Sequence, residues 1–436
     1  MADPYVLENG SEIAVIGGGP TGSFFSIFAL KMAKMIGKEI SVTIYEPKDF
    51  TKDGPLGCNR CGGIISELLV QTLAVEGINL PEKLVQRGIN SYRLYTDHGN
   101  VFIETPSHEK TIATVYRGGG PKGIIGKDKE SFDRFLLDLA VSEGAIHNPV
   151  KIDRIEYKNI RPVLYAKGQK IQEPDLVVGA IGVKSQTYKI FEDMGFGYRR
   201  PETVTAAIAE ISMHRSAISE YFGNSVHLFL LPIKGVKFAA MIPKGTYITV
   251  CILGKNIVMD TVNNFLDNRV VKSILPKTET YTINCRCLPK MNVRAPKIPF
   301  NHRVILCGDA GSTRLFKDGL GAAYIMGKAA AKTAVFHGVS KQHFQKEYYP
   351  VYRNIIIDNK FGKILFAVTD AFKVHKVLNK SMFRVVQKEQ LEPSSPKILS
   401  SVLWDMFTGN ELYKDIFRRA INFPMFFDMF KGCLRI

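Results

Sequence analysis

Long apolar runs are missing from this chain of 436 residues, because Lys31, Lys34, Lys234 and Lys237 interrupt the best candidates before 18 positions accumulate. A membrane-spanning helix is therefore not expected. The opening MADPYVLENGSEIAVIGGG lacks a basic region followed by an apolar one, so no secretory leader is expected either. Cysteines are few and odd in number, seven in all: Cys58, Cys61, Cys251, Cys285, Cys287, Cys307 and Cys433. They argue against a disulfide scaffold and for a reducing compartment, which makes the cytoplasm the expected location. The nine histidines show no pairing at ligand or triad spacing. Helix-turn-helix, zinc-knuckle and RNA-recognition signatures are absent, so no nucleic-acid partner is expected. There is no internal repeat.

What is present is an ordinary globular composition, 45% hydrophobic and 23% charged, long enough for two or three domains. The net charge of +17 calls for an anionic partner of some kind. Residues 341–390 hold ten Lys/Arg against four Asp/Glu together with eight Phe and Tyr rings, the pattern of a solvated basic face or of a surface meeting an anionic membrane. The C-terminal end reads the same way: Phe417, Phe423, Phe426, Phe427 and Phe430 with Arg418, Arg419, Lys431 and Arg435 form either a membrane-interface segment or a tail packed on the body.

SEIAVIGGGPTGSFFSIFALKMAKMIG reads as strand, glycine turn, helix, and KEISVTIYEP as a second strand ending at Glu46. Gly17, Gly19 and Gly22 form a G-x-G-x-x-G fingerprint in which the first glycine makes the turn, the second admits a pyrophosphate, and the third lets the helix pack on the strand. The helix N-terminus offers its free N–H groups to phosphate, and Glu46 stands where a ribose hydroxyl needs an acceptor. The site is read as a dinucleotide site. The same spacing recurs at Gly118, Gly120 and Gly123 without a clear strand before it, and is read as a loop, with a second nucleotide site as the alternative. RVILCGDAG at 303–311 is a buried strand with a glycine turn that places Gly308 and Asp309 at its end, and the small-residue helix GLGAAYIMGKAAAKTAVF follows.

GKDKESFDRFLLDLAVSEGA at 126–145 reads as an amphipathic helix with Phe132, Phe135, Leu136 and Leu139 on one stripe. Between about 200 and 290 the texture changes to successive strands, TAAIAEISM, VHLFLLPI, VKFAAMIP and YITVCIL, as in a separate antiparallel sheet. From 341 onward the chain is mostly helical and aromatic, with PSSP at 393–396 as a linker. Cys58 and Cys61 sit at C-x-x-C spacing before two glycines, which fits a redox pair, half a metal site or a tight loop. Cys285 and Cys287 are wrongly spaced to complete a zinc site, and no metal is assigned.

The glycine fingerprint, the D-L-V-V-G-A-x-G-x-x-S stretch and the G-D-A segment occur in the order found in flavoproteins of the p-hydroxybenzoate hydroxylase fold. Within them, RCGGIIS at 60–66 and FAAMIPKG at 238–245 resemble the geranylgeranyl reductase group. The resemblance covers roughly residues 11–340. It implies an α/β chain with a discontinuous Rossmann-type FAD-binding domain (1–90, 110–195 and 290–340), an antiparallel substrate domain (196–289 with 91–109) and a helical aromatic and basic C-terminal region (341–436). It implies non-covalent FAD, with Asp309 on the ribityl or pyrophosphate and Gly319, Leu320 and Gly321 beside the isoalloxazine. Cys61 and Gly62 would lie on the flavin-proximal loop, and Phe238, Ile242 and Pro243 on the substrate side.

The activity so implied is reduction of a carbon–carbon double bond in an isoprenoid or other hydrophobic substrate, with NAD(P)H or reduced ferredoxin or quinol as electron donor. A flavin monooxygenase, a dehydrogenase passing electrons to quinone, and a non-enzymatic flavin-binding lipid carrier or sensor are the alternatives. Two departures weaken the transfer of detail. Ile181 stands where the family's D-G motif is usually acidic, which puts a pyridine-nucleotide contact there in doubt. Ala240 stands where the reductases usually carry Trp, and the chain's single Trp is Trp404. No side chain is identified as the proton donor.

Overall fold

The runs IAVI and LVVG carry apolar residues on both sides of the strand, so each must be covered on both faces, as in a parallel sheet flanked by helices. The computed structural model describes residues 3–123, 130–158, 160–183, 185–277, 281–392 and 394–421, and its contacts divide the chain into two units. The first comprises Met1–Phe50, Phe132–Thr203 and Asn292–Ile357. Its sheet has the strand order Phe300–Asn301, Val304–Leu306, Leu176–Gly179, Ser11–Ile16, Ile40–Tyr45, Ile146–Asn148. All neighbours are parallel except the first pair.

The helices Pro20–Met35, Phe132–Ser142 and Gly319–Phe336 belong to this unit. The third reaches the first through Gly327, where a Cβ would fall 3.0 Å from the Thr21 carbonyl oxygen and 3.1 Å from the Phe25 nitrogen. Tyr324 then meets Phe24 edge to face. The Phe132–Ser142 helix buries Phe132, Leu136, Leu137 and Ala140, whereas Phe135 and Leu139 are only half buried, so its inner stripe is turned slightly from the one read in the sequence.

The second unit comprises Thr51–Ser131, Val204–Met291 and Asp358–Ile436. The strand-like runs form one seven-stranded sheet in the order Thr282–Cys287, Ala207–Ser212, Tyr247–Gly254, Val236–Pro243, Ser225–Phe229, Ser91–Thr96, Gly99–Glu104. Strand alternation sorts its faces. Ala207, Ala209, Ile211, Ala239, Met241, Ile248, Val250 and Ile252 join Ile218, Val262 and Phe265 of short helices in one apolar core. Ile208, Glu210, Ile242, Thr249 and Cys251 occupy alternate positions and face the other way.

The helices of the C-terminal segment are held by buried carboxylates that accept orphan backbone N–H groups. Glu389 accepts from Leu399 and Ser400 at the start of the Ile398–Phe407 helix. Asp358 accepts from Tyr413 and Lys414 at the start of Tyr413–Ala420. A negative charge at a helix N-terminus meets both the free donors and the positive dipole end. Trp404 is fully buried on Tyr92, ring centroids 4.5 Å apart, and donates its indole N–H to the Lys110 carbonyl. Phe423, Phe426, Phe427, Phe430, Lys431 and Arg435 lie outside the described residues. Among the described residues no helix is long and apolar enough to cross a membrane.

Asp405 is fully buried between two cations, 3.0 Å from Lys110 and 2.8 Å from Arg419. Replacing it with Ala removes the shared anion and leaves both cations without it, so urea unfolding of Asp405→Ala will show a loss of about 3 kcal/mol. A loss below about 0.5 kcal/mol would mean that the three charges contribute nothing to this unit.

Candidate cofactor and ligand sites

The parallel register brings four strand ends to one edge: Ile16 pairs with Tyr45 and with Gly179, and Gly179 with Leu306. The residues that follow each strand, Gly17, Glu46, Ala180 and Gly308 with Asp309, therefore emerge at the carboxyl end of the sheet, where open α/β folds hold their ligands.

Each fingerprint glycine is required by something different. Gly17 has φ +107°, and a Cβ there would fall 2.3 Å from the Ala180 carbonyl oxygen. At Gly22 it would fall 1.9 Å from the carbonyl oxygen of Gly17. Gly19 differs: nothing lies within 4 Å of its Cβ position, and it sits at the N-cap of the Pro20–Met35 helix with Pro20 opening the first turn. The fold closes around the first and third glycines and leaves space only over the second, beside N–H groups that have no intrahelical partner.

Glu46 is buried, and its two oxygens accept the N–H of Gly18 at 3.1 Å and of Lys48 at 2.9 Å. A carboxylate has about four acceptor positions, so these bonds orient it and leave others for a hydroxyl. Gly308, at φ +60°, lies against the first helical turn, with its Cβ position 2.1 Å from Thr21 Oγ1. That contact carries the half-buried Asp309 to the glycine turn. The Asp309 carbonyl is held by Asn292 Nδ2 at 2.6 Å. Gly319, Leu320 and Gly321 form the first turn of the Gly319–Phe336 helix, capped by Asp318 in the left-handed region at φ +48°. Asp318 accepts the Gly321 N–H at 3.0 Å and pairs with Arg314 at 2.5 Å, and burial raises its pKa against the pull of Arg314. Ile181 is buried in the apolar core of this unit. Asn292 and Arg314 belong to no motif, Asp318 directly precedes the small-residue helix, and Thr21 occupies a variable position of the glycine fingerprint, so no spacing rule singled any of them out.

In the second unit the loop with Cys61 and Gly62 rests on the sheet face that carries Ile242: a Cβ at Gly62 would fall 3.2 Å from Ile242 Cδ1 and 3.3 Å from Cys251 Sγ. Gly63, at φ +66°, is forced by the Val115 carbonyl oxygen, 2.3 Å from its Cβ position. The sulfur of Cys61 accepts from Arg117 Nη1 at 3.3 Å, and that of Cys58 from the Arg60 N–H at 3.3 Å. Cys61, Cys251, Cys285, Cys287 and Cys307 are free thiols. Burial raises the thiol pKa of Cys285 to about 11 and of Cys287 to about 12, so both are neutral thiols. Among the described residues no group of His, Cys, Asp or Glu is arranged to hold a metal ion.

Ile242 and Pro243 lie by this loop, with the Pro243 carbonyl accepting from Thr114. Phe238 is occupied elsewhere, stacked on Phe366 at 5.7 Å and edge-on to Phe407 at 4.9 Å. The second glycine run is filled by protein: Cβ atoms at Gly118 and Gly119 would fall 2.0 Å from the Gly57 oxygen and 1.9 Å from the Lys52 oxygen.

The chain is similar along its length to a geranylgeranyl bacteriochlorophyll reductase-like protein of Thermoplasma acidophilum, with a TM-score of 0.63, 16% identity, and 98% and 100% of the two chains covered. The fold is that of the FAD-dependent oxidoreductases. The flavin-dependent halogenase CmlS shares it, with a TM-score of 0.59, 18% identity and 94% and 70% coverage. So does p-nitrophenol 4-monooxygenase PnpA of Pseudomonas putida, with a TM-score of 0.59, 12% identity and 91% and 97% coverage. No family model and no curated protein matches the chain. In this fold the sheet's carboxyl edge carries the glycine turn, and the three glycines make distinct demands on stability. Thermal unfolding of the apoprotein will show Gly22→Ala strongly destabilised, because the Gly17 carbonyl must move, and Gly19→Ala within about 0.5 kcal/mol of wild type. Equal losses at the two positions would mean that the turn is not built as described.

Proposed function

We propose that this chain binds FAD non-covalently and is an oxidoreductase that reduces carbon–carbon double bonds in an isoprenoid or similar hydrophobic substrate, drawing electrons from NAD(P)H, reduced ferredoxin or a quinol. The observation that carries the FAD assignment is the open space over Gly19, framed by two glycines closed off by backbone and by the end of a 16-residue helix. The residues fit the cofactor. The Gly19 backbone and the helix N-terminus would hold the pyrophosphate, Glu46 the ribose, and Asp309 the polyol chain. FAD, when bound, supplies hydride to carbon or activates oxygen.

Similarity to the Thermoplasma protein along nearly the whole of both chains supports the reductase reading. Similarity to p-nitrophenol 4-monooxygenase and the halogenase supports a second reading, an oxygen-dependent flavoenzyme. Protein reconstituted with FAD will be yellow, and Gly19→Val will lose the flavin while the apoprotein stays folded, since the branched side chain enters only the space meant for phosphate. Reduced anaerobically and mixed with a polyprenyl alkene, the holoprotein will be reoxidised with formation of the saturated product. Reoxidation by oxygen alone, with an oxygen atom in the product, replaces the reductase reading with the second one. A colourless protein after reconstitution overturns both.

The partner proposed for the surface is an anionic membrane. Ile364, Val368, Val374 and Val377 are exposed on the C-terminal helices, among exposed Lys360, Lys363 and Lys376. Of the four acids in 341–390, Asp358 and Glu389 are buried as helix caps and Asp370 pairs with Lys237. The exposed face is therefore more basic than the composition alone indicates. Sedimentation with anionic vesicles will be strong at low salt and lost at high salt, and Lys360→Glu with Lys363→Glu will weaken it by at least about tenfold. Equal binding to neutral vesicles, or none to either kind, overturns this assignment.

A further inference from the structure

A basic cavity opens within the second unit, where a turn of the seven-stranded sheet meets the end of a helix. The turn joins the Ser225–Phe229 and Val236–Pro243 strands, and the helix end is the last turn of Tyr349–Val374. With Lys255, just past the Tyr247–Gly254 strand, they enclose about 350 Å³. Small-molecule sites span roughly 300–1,000 Å³. The charged side chains of the lining are Lys234, Lys237, Lys255 and Lys373 against Asp370 alone, four ammoniums to one carboxylate. That carboxylate is itself shared, pairing with Lys237 and, at 3.7 Å, with Lys373. Among the described residues no carboxylate lies within ion-pair distance of Lys234 or Lys255.

The backbone holds these cations in place. Gly235, at φ +79°, takes a conformation open to glycine, and its carbonyl oxygen lies 1.9 Å from where a Cβ on Gly254 would fall. The same oxygen accepts the Lys255 N–H at 2.8 Å, and the Ile233 carbonyl accepts the Val236 N–H at 3.0 Å. The backbones that carry Lys234 and Lys255 are thus fastened to each other. Lys373 is 9% exposed, and its ammonium donates to the carbonyl oxygens of Val236 and of Lys237, the latter at 3.0 Å. It ties the helix end to the strand and sets a buried cation in the wall. Burial lowers its pKa, with Asp370 opposing and Lys237 adding to the effect. A buried cation that has only part of a carboxylate is stabilised by an anion entering beside it.

The lip of the cavity says where that anion comes from. Val374 lines it and is 66% exposed. It closes an exposed stripe of Lys360, Lys363, Ile364, Val368 and Ala371, each three or four positions from another and so on one side of the helix. Aliphatic side chains among lysines suit the boundary between acyl chains and headgroups. We infer that the cavity is a pocket for the phosphate monoester of a lipid headgroup, with Lys234 and Lys255 as the contacting cations and Lys237 and Lys373 as the charged wall behind them. The inference rests on the anionic membrane proposed for this surface and names the headgroup it selects. A phosphate monoester brings a charge of about −1.5 to −2 and three acceptor oxygens near neutral pH. A phosphodiester brings a single charge and fewer free oxygens, and so meets fewer of the four ammoniums.

The test is sedimentation of the full chain with phosphatidylcholine vesicles that carry either phosphatidic acid, a monoester, or phosphatidylglycerol, a diester, at matched surface charge. Wild type is compared with Lys234→Gln/Lys255→Gln and with Lys360→Glu/Lys363→Glu. Wild type should prefer phosphatidic acid by about tenfold or more, and Lys234→Gln/Lys255→Gln should lose that preference. Lys360→Glu/Lys363→Glu should weaken binding to both kinds alike and keep it. Lys234 and Lys255 are exposed, so an unchanged melting temperature serves as the folding control. Inorganic phosphate, titrated by calorimetry at constant ionic strength, should bind more weakly than the vesicles and depend on the same two lysines. Inorganic phosphate that binds as tightly as the vesicles makes the occupant a free phosphate and overturns the lipid assignment. Equal binding to the two anionic vesicles, or a preference that survives in Lys234→Gln/Lys255→Gln, overturns the pocket while the membrane reading stands. Binding to neither overturns the membrane reading, and the proposal with it.

Discussion

A carbonyl oxygen decides where the first helix goes. The oxygen of Gly17 occupies the space in which residue 22 would carry a Cβ, at 1.9 Å. The helix can descend onto the strand only because residue 22 has no side chain. Once it is seated, Thr21 is delivered to Gly308 and Gly327, each of which again lacks the atom that would keep the backbones apart. The position of Asp309 and of the Gly319–Phe336 helix follows from those contacts. Much of the carboxyl edge of the sheet is thus set by close backbone approach rather than by side-chain packing, and that precision is what a ligand held by backbone N–H groups requires.

Buried charge is handled differently in different places. Glu46, Asp358 and Glu389 are each satisfied by two backbone N–H groups, and Asp405 by two cations. Such carboxylates orient the chain and are difficult to move. Glu210 has one hydroxyl partner and a cation at a distance. The contrast is informative because the same chain gives Glu46, Asp358, Glu389 and Asp405 two partners each.

The glycine turn, both sheets and the small-residue helix were legible in the sequence, because each depends on local signals: glycine spacing, β-branched runs, and the alternation of periods two and 3.6. Gly17, Gly22 and Glu46 could be placed from spacing alone. Glu210 left a faint trace, a lone acid inside TAAIAEISM at a position that alternates away from Ala207 and Ala209, but strand alternation normally assigns such a residue to solvent. Lys244 sits inside the FAAMIPKG run, but that run does not show its burial, since Gly63, which packs against it, is distant in sequence. Phe238 reads as part of a ligand-side motif, yet Phe366 and Phe407 of the C-terminal helices reach it first. Contacts between segments more than a hundred residues apart decide such cases, and no local pattern encodes them. Asp358 and Glu389 were likewise counted only as charges, because capping of another helix is a tertiary event.

The single tryptophan gives the molecule a built-in optical asymmetry. Trp404 is fully buried in the second unit against Tyr92, with its indole N–H bound to a backbone carbonyl, whereas the first unit has tyrosines and no indole. Indole emission therefore follows the packing around the Lys110 hub and says nothing of the glycine turn, while flavin absorbance would follow the turn and says nothing of the hub. Recorded together on one sample during heating, the two colours separate the melting of one unit from that of the other without any added label.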